Sequence, residues 1–295
     1  MSKRACILAA VLSATSLAQE PAPAPKPPPY SVPWQLRPTA AGNVIRLDSA
    51  LASRELPDGT GAWTSATMLF ASYQVIPNLA PFVRLGFVAD FATATNTSLV
   101  NPAVGATWSL PLGNGLRTGL FLGLTVPVGM GGGNEGDAGS ATAARAGIQA
   151  RSAMDNAMFA VNDFTVFPGV GLSYAAGGFT AQVEATLLQL TRVRGEAVQP
   201  DATKTNLTSG VHLGYFVHPQ VSLGAELRYQ RWLVPPAAVT TDAQRDNLTA
   251  AAGVRAHLKA GALTFRPGVS FTLPLDDPMG AQAYRIFQFD LPVAF

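Results

Sequence analysis

The sequence predicts an all-β fold, a transmembrane antiparallel up-and-down β-barrel of about twelve strands, and three observations carry that expectation. Only 13% of the residues are charged while 48% are hydrophobic, a balance suited to lipid contact. Past residue 20, however, no uninterrupted apolar run of about 18 residues occurs, so a helix crossing has no candidate. Lipid gives backbone amides no partners, which leaves a closed barrel as the remaining way to span. The third observation is period-2 alternation recurring along the chain in segments long enough to cross at a tilt, about 9–11 residues each.

At the chain start, Lys3 and Arg4 precede an apolar stretch over 5–14 and then Ser16, Leu17 and Ala18, a small-x-small site that a signal peptidase cleaves. Residues 1–18 therefore read as an export signal, too short to anchor in a membrane, which takes about 20 apolar residues. Cys6, the one cysteine, leaves with it, so no disulfide or thiol chemistry remains for an oxidising compartment. Loss of Lys3 and Arg4 brings Lys+Arg level with the 18 Asp+Glu, and no basic stripe marks a nucleic-acid partner. Residues 19–41 form a Pro-rich leader, expected to be an extended, solvated periplasmic tether because proline fixes φ and lacks an amide hydrogen. The barrel is expected over 42–295.

Alternating stretches fall at roughly 44–53, 63–76, 80–92, 99–110, 115–128, 164–175, 179–192, 205–217, 220–232, 246–258, 262–274 and 284–295. In the ninth of these, Val221, Leu223, Ala225, Leu227 and Tyr229 alternate with Ser222, Gly224, Glu226, Arg228 and Gln230. In lipid the apolar set must face outward, so the polar and glycine-rich set lines the interior. Tight connections at Pro77-Asn78, 112–115, 176–178, His218-Pro219 and 259–261 carry turn chemistry. Longer ones lie near 54–62, 93–98, 129–163, 193–204, 233–245 and 275–283. Outer-membrane barrels pair short periplasmic turns with long outer loops, which puts both termini in the periplasm and makes the strand count even. Trp63, Tyr73, Trp108, Tyr174, Tyr215 and Tyr229 fall near strand ends, where interfacial girdles form.

In the last stretch Phe287, Phe289, Leu291, Val293 and the terminal Phe295 share one face. A strand apolar on one side and ending on an aromatic resembles the assembly signal of bacterial outer-membrane β-barrels. The expected partners are thus the barrel assembly machinery and outer-membrane lipid with lipopolysaccharide.

Inward parity assigns Arg46, Arg84, Arg117, Arg228, Arg255 and Arg266 to the lumen, against Asp48, Asp90, Glu184, Glu226 and Asp290. Such a mixed set serves either a salt-bridge network that holds the wall or a ligand-binding ladder. Inward glycines at 105, 119, 123, 169, 171, 210, 214, 224, 253 and 268 leave room in the interior. The longest link, 129–163, opens on a glycine hinge with Gly131, Gly132 and Gly133 and continues into an Ala-rich helical stretch containing Arg145 and Arg151, with Ser140 as the expected cap. It either folds into the mouth as a constriction or lies as a helix on the rim.

Other chemistry finds little support. The glycine hinge lacks the Gly-Lys-Ser/Thr ending of a phosphate loop. The loop carboxylates lack calcium-loop spacing, and His212, His218 and His257 are scattered without metal-ligand spacing or an outward serine for a lipase triad. No cofactor, metal site or catalytic residue is expected. A narrow path for small molecules is expected instead, the alternative being a structural or surface-interaction barrel with a closed lumen.

The run 120–129, with Pro127 and Gly129 at a strand end before a long loop, resembles the outer-membrane transporters linked to the meta-pathway of phenol degradation. The resemblance spans about 62–295, including the 101–108 strand and the terminal Phe295, and Val128 stands where that motif usually has threonine. It implies passage of small, aromatic or apolar compounds and assigns no residue to a substrate.

Tags inserted at Gly133, Gln199 or Asp242 are expected to be reachable on intact cells and tags at Asn114 or His218 to be protected. Labelling of the second group alone would reverse the orientation.

Overall fold

The computed structural model describes residues 29–295; the expected signal and the prolines before Pro29 lie outside the described residues. One sheet runs through β1 (Val44–Glu55), β2 (Gly61–Ser72), β3 (Leu79–Phe91), β4 (Thr95–Leu99), β5 (Ala103–Gly113), β6 (Leu116–Thr125), β7 (Asp163–Ala176) and β8 (Phe179–Arg192). It continues through β9 (Thr203–His218), β10 (Val221–Val234), β11 (Asp246–Ala256), β12 (Leu258–Ala260), β13 (Leu263–Phe265), β14 (Gly268–Pro274) and β15 (Arg285–Ala294). β4 with β5, β11 with β12, and β13 with β14 are consecutive pieces of single staves, so the barrel has twelve strands. Pro102 and Pro267, which have no amide hydrogen for the ladder, stand at two of the breaks.

The tube closes where β1 pairs antiparallel with β15, from Val44 opposite Ala294 to Ser53 opposite Arg285. With no free edge, the wall's backbone groups are satisfied within it. Alternation follows the expected parity. On β10 Ser222, Glu226, Arg228 and Gln230 are buried while Leu223, Ala225 and Leu227 are exposed. On β15 Gln288 and Asp290 point in, and Phe287, Phe289 and Phe295 point out with Leu291 and Val293 on the same face. An exterior of exposed Leu, Val and Phe around a buried polar interior is the reverse of a soluble domain and fits a hydrocarbon solvent.

The two ends differ. At one, the turn end, tight connections follow β2, β5, β7, β9 and β12, and Asn114, between Gly113 and Gly115, sits at φ 52° where few side chains are comfortable. At the other, the loop end, lie the longer connections, with one correction. The expected link over 93–98 is mostly strand, because β4 pairs with β3 from Thr95 opposite Phe91 to Leu99 opposite Phe87. Thr95 and Thr97, β-branched and outward, suit a pleated strand better than a loop.

The loop after β6 turns inward as α1 (Ala138–Ala150) and α2 (Asn156–Phe159). The cap of α1 is Asp137, whose side chain accepts from the Ser140 amide at 2.6 Å, so Ser140 is not the cap that the sequence suggests. Ala143, Ala144, Gly147 and Ala150 are buried with the small inward residues Ala50, Ala52, Ala66 and Val88. The approach is close: a β-carbon on Gly147 would lie 2.5 Å from the Phe159 ring and 2.8 Å from Val88.

Replacing Phe289 with Arg, midway along β15 on the outer face, is expected to cost about 2–4 kcal/mol in refolding titrations into lipid vesicles. An unchanged midpoint would mean that this face does not meet hydrocarbon.

Candidate functional site

Residues 30–42 do not run as a solvated tether. Ser31, Val32, Trp34, Leu36 and Thr39 are buried inside the barrel near its turn end. The proline-dense part stops at Pro29, and Val32, Trp34 and Leu36 then supply apolar surface that solvent would not accommodate. As this segment belongs to neither a helix nor a strand, its backbone polar groups need partners from the wall. Trp34 and Gln35 donate their amides to Glu226, the latter at 3.2 Å, and the Arg37 amide donates to Glu184. Arg46 and Gln288 donate to the Trp34 carbonyl, and Ser31 donates its amide to Thr180 Oγ1 at 3.0 Å.

The inward glycines explain the fit. A β-carbon at Gly119 would lie 2.9 Å from Thr39, one at Gly210 2.5 Å from Leu36, and one at Gly224 2.7 Å from the Trp34 ring, while Ser31 occupies the space beside Gly214. Thr39 also sits against Gly171. The expectation that these positions leave room holds, and the chain's own segment fills that room. Elsewhere the wall fills its own gaps: Phe82 covers Gly105, Phe167 covers Gly123, Phe121 covers Gly169, Ser270 lies beside Gly253 and Arg255 beside Gly268.

From the loop end, the glycine hinge delivers α1 and α2 into the lumen, which decides between the two readings of that stretch. Gly131 and Gly133 take φ of 79° and 91°. The base of the loop is tied by Asn101, which accepts from the Gly129 amide at 2.9 Å and donates to the Ala160 carbonyl at 2.8 Å. Arg194 adds a bond to the Val161 carbonyl at 3.1 Å. Arg145 stays exposed. Arg151 is fully buried, reaching Asp48 at 2.6 Å and Asp155 at 3.0 Å, and Asp155 in turn holds Arg84.

Most of the remaining lumen charges are paired in the same manner. Asp290 bridges Arg46 at 2.7 Å and Arg255 at 2.5 Å, and Glu226 holds Arg228 at 2.7 Å with His212 at 3.5 Å. Glu184 pairs with Arg37 at 2.6 Å, and Asp90 with Arg54 at 2.9 Å. Arg117 and Arg266 face no acid within ion-pair distance among the described residues. Strand parity brought the wall charges to light, but Arg37, Asp155 and the Asp163–Lys204 pair at 2.6 Å escaped it. They sit outside strands or at strand ends, where period 2 says nothing; the i,i+4 spacing of Arg151 and Asp155 was the one legible hint. His257 meets Ser222 at 2.9 Å, and no group of metal-ligating side chains occurs among the described residues.

A cavity of about 440 Å³ remains between residues 30–43 and the wall of β1, β2, β3 and β5. Met68, Phe70, Phe82, Met158 and Phe167 give it an apolar body. It reaches from exposed Gln74 and Phe295 at the turn end to Asp155, Ala157 and Met158, which close it toward the loop end. This is the size of a small-molecule pocket, roughly 300–1,000 Å³.

No family model matches the chain, and no curated protein matches it by sequence. Solved structures share its fold. An outer-membrane channel from Pseudomonas putida F1 is 12% identical, with a TM-score of 0.55 over 89% of this chain and 98% of that one. The KdgM porin is 8% identical at 0.49 over 85% and 99%, and the translocator domain of the autotransporter NalP from Neisseria meningitidis is 10% identical at 0.48 over 88% and 90%. The comparison rests on the first, and at such identity it concerns architecture: the chain folds as outer-membrane multi-pass β-barrels do.

Asp290→Ala would leave Arg46 and Arg255 buried without their carboxylate, at an expected cost of about 3–5 kcal/mol. Urea unfolding from lipid vesicles would measure it, and limited proteolysis should find residues 30–42 newly accessible. Wild-type stability in this variant would show that the network does not hold the seam.

Proposed function

We propose that the barrel provides a narrow path across the outer membrane for small, predominantly apolar molecules, aromatic ones included, with the turn end facing the periplasm. The observation that carries this reading is an unfilled cavity with an apolar body of Met and Phe side chains in a lumen whose charges are mostly paired with one another. A wall held together by salt bridges has no use for an unfilled chamber of Met and Phe side chains, since each void forfeits packing energy. The likeness to an outer-membrane channel supports the same reading. On this view lipid and lipopolysaccharide surround the apolar exterior, and the outer face of β15 is what the assembly machinery recognises. The resemblance to phenol meta-pathway transporters points to the same class of compound.

A second reading has its own observation. Residues 30–42 from one end and α1 with α2 from the other fill much of the lumen, as a closed structural barrel would. The inserted loop separates the readings. Gly133 donates its amide to the Asn162 side chain at 2.8 Å, so the two ends of the inserted loop lie near one another, and joining Gly133 to Ala160 removes both helices. In planar bilayers the variant lacking 134–159 is expected to show unitary conductance well above wild type, because the cap over the cavity is gone. Silence from both proteins, with heat-modifiable folding intact, would leave the closed barrel as the answer.

A further inference from the structure

The cavity has an apolar body and a charged rim, and the charges that line it are not balanced. Arg37 is neutralised by Glu184, Arg46 by Asp290 and Arg84 by Asp155, while the cavity's Asp48 is held by Arg151. Arg266 is different. It lines the same cavity and is half-buried, and among the described residues its guanidinium has neither a carboxylate nor a side-chain hydrogen bond. Its backbone is nonetheless held firmly, the amide donating to the Pro292 carbonyl at 2.9 Å and the carbonyl accepting from Arg255 at 2.7 Å. A guanidinium carries five N–H donors in a rigid fork, and one facing an apolar chamber has few ways to satisfy them.

The charge distribution along the axis points the same way. None of the tight turns contains an aspartate or glutamate, whereas Arg117, Lys259 and Arg266 all lie at that end. Arg117 and Arg266 both stand within electrostatic reach of the Tyr30 phenol, on the inner side of the mouth. Acids gather instead at the loop end, at Asp58, Glu135, Asp137, Glu196, Asp201 and Asp242. A set of like charges at the mouth of a low-dielectric chamber focuses its field there and attracts anions.

We propose that the cavity takes a small apolar molecule bearing one carboxylate, its body against Met68, Phe70, Phe82 and Phe167 and its charge on the fork of Arg266. Planar bidentate contact suits carboxylate in particular. The assignment rests on the reading of this cavity as part of a path for apolar molecules and narrows the substrate class within it.

Benzoate and benzyl alcohol, matched in ring and differing in charge, are the probes, titrated by calorimetry into the detergent-purified full-length barrel. Benzoate is expected to bind at least about tenfold more tightly, the scale of a charge-assisted hydrogen bond. In Arg266→Gln the ratio of the two affinities should fall to near one, while Arg266→Lys, which keeps the charge, retains a preference. Arg285→Gln, exposed at the loop end, should leave the ratio alone. Equal binding of both probes to wild type, or an unchanged ratio in folded Arg266→Gln, would overturn the carboxylate assignment and leave the apolar path standing. Absence of binding by either probe would remove the apolar path itself, and this assignment with it. Should Arg266→Gln not fold, Arg266→Met takes its place, and an unchanged ratio in that folded variant would overturn the assignment in the same way.

Discussion

Arg46 on β1 and Asp290 on β15 meet at 2.7 Å across the seam where the sheet closes, and much of the interior is arranged around that contact. Closure forces it. Once the outer face must be apolar, the polar half of every strand is confined to the lumen, where an unpaired charge is expensive. Asp290 therefore serves Arg46 and Arg255 together, Asp48 on the next inward position of β1 serves Arg151, and Gln288 reaches both Asp48 and the Trp34 carbonyl. Strand ends that are distant in sequence are thereby locked to a segment from the chain start and to one from its middle.

The two inserted segments are accommodated by different means. Residues 30–42 are accepted by absence, since glycines on β6, β7, β9 and β10 leave the depressions that Thr39, Leu36, Ser31 and Trp34 occupy. Their amides are then met by Glu226 and Glu184, so carboxylates of the wall do the work that a neighbouring strand would do in a sheet. α1 is accepted by smallness on both sides, alanine against alanine, and is pinned at its end by Arg151. The chamber between the two inserts is bordered by larger apolar side chains, Met68, Phe70, Phe82 and Phe167, and not by the glycine sockets. A chamber with an apolar body thus lies beside the docked segment, with α2 bordering it toward the loop end.

Fold class, an even strand count near twelve and the inward parity of the charged residues were legible in the sequence alone, because lipid imposes a period of two that survives in the residue order, while closure of the sheet fixed the count at twelve. The exception over 93–98 arose because a short threonine-rich strand and a polar loop have similar composition. Only tertiary structure decided what lies inside. Parity states that Gly119, Gly210 and Gly224 face the lumen, yet nothing in a list of glycines says which atoms will stand over them. Prolines up to Pro29 suggest an extended leader, and whether residues 30–42 after them are solvated depends on a wall built from residues far along the sequence. The ion pairs show the same division: which strand charges face inward is local geometry, whereas Arg37 with Glu184 and Arg151 with Asp48 are contacts between distant segments, set by how the closed tube brings them together.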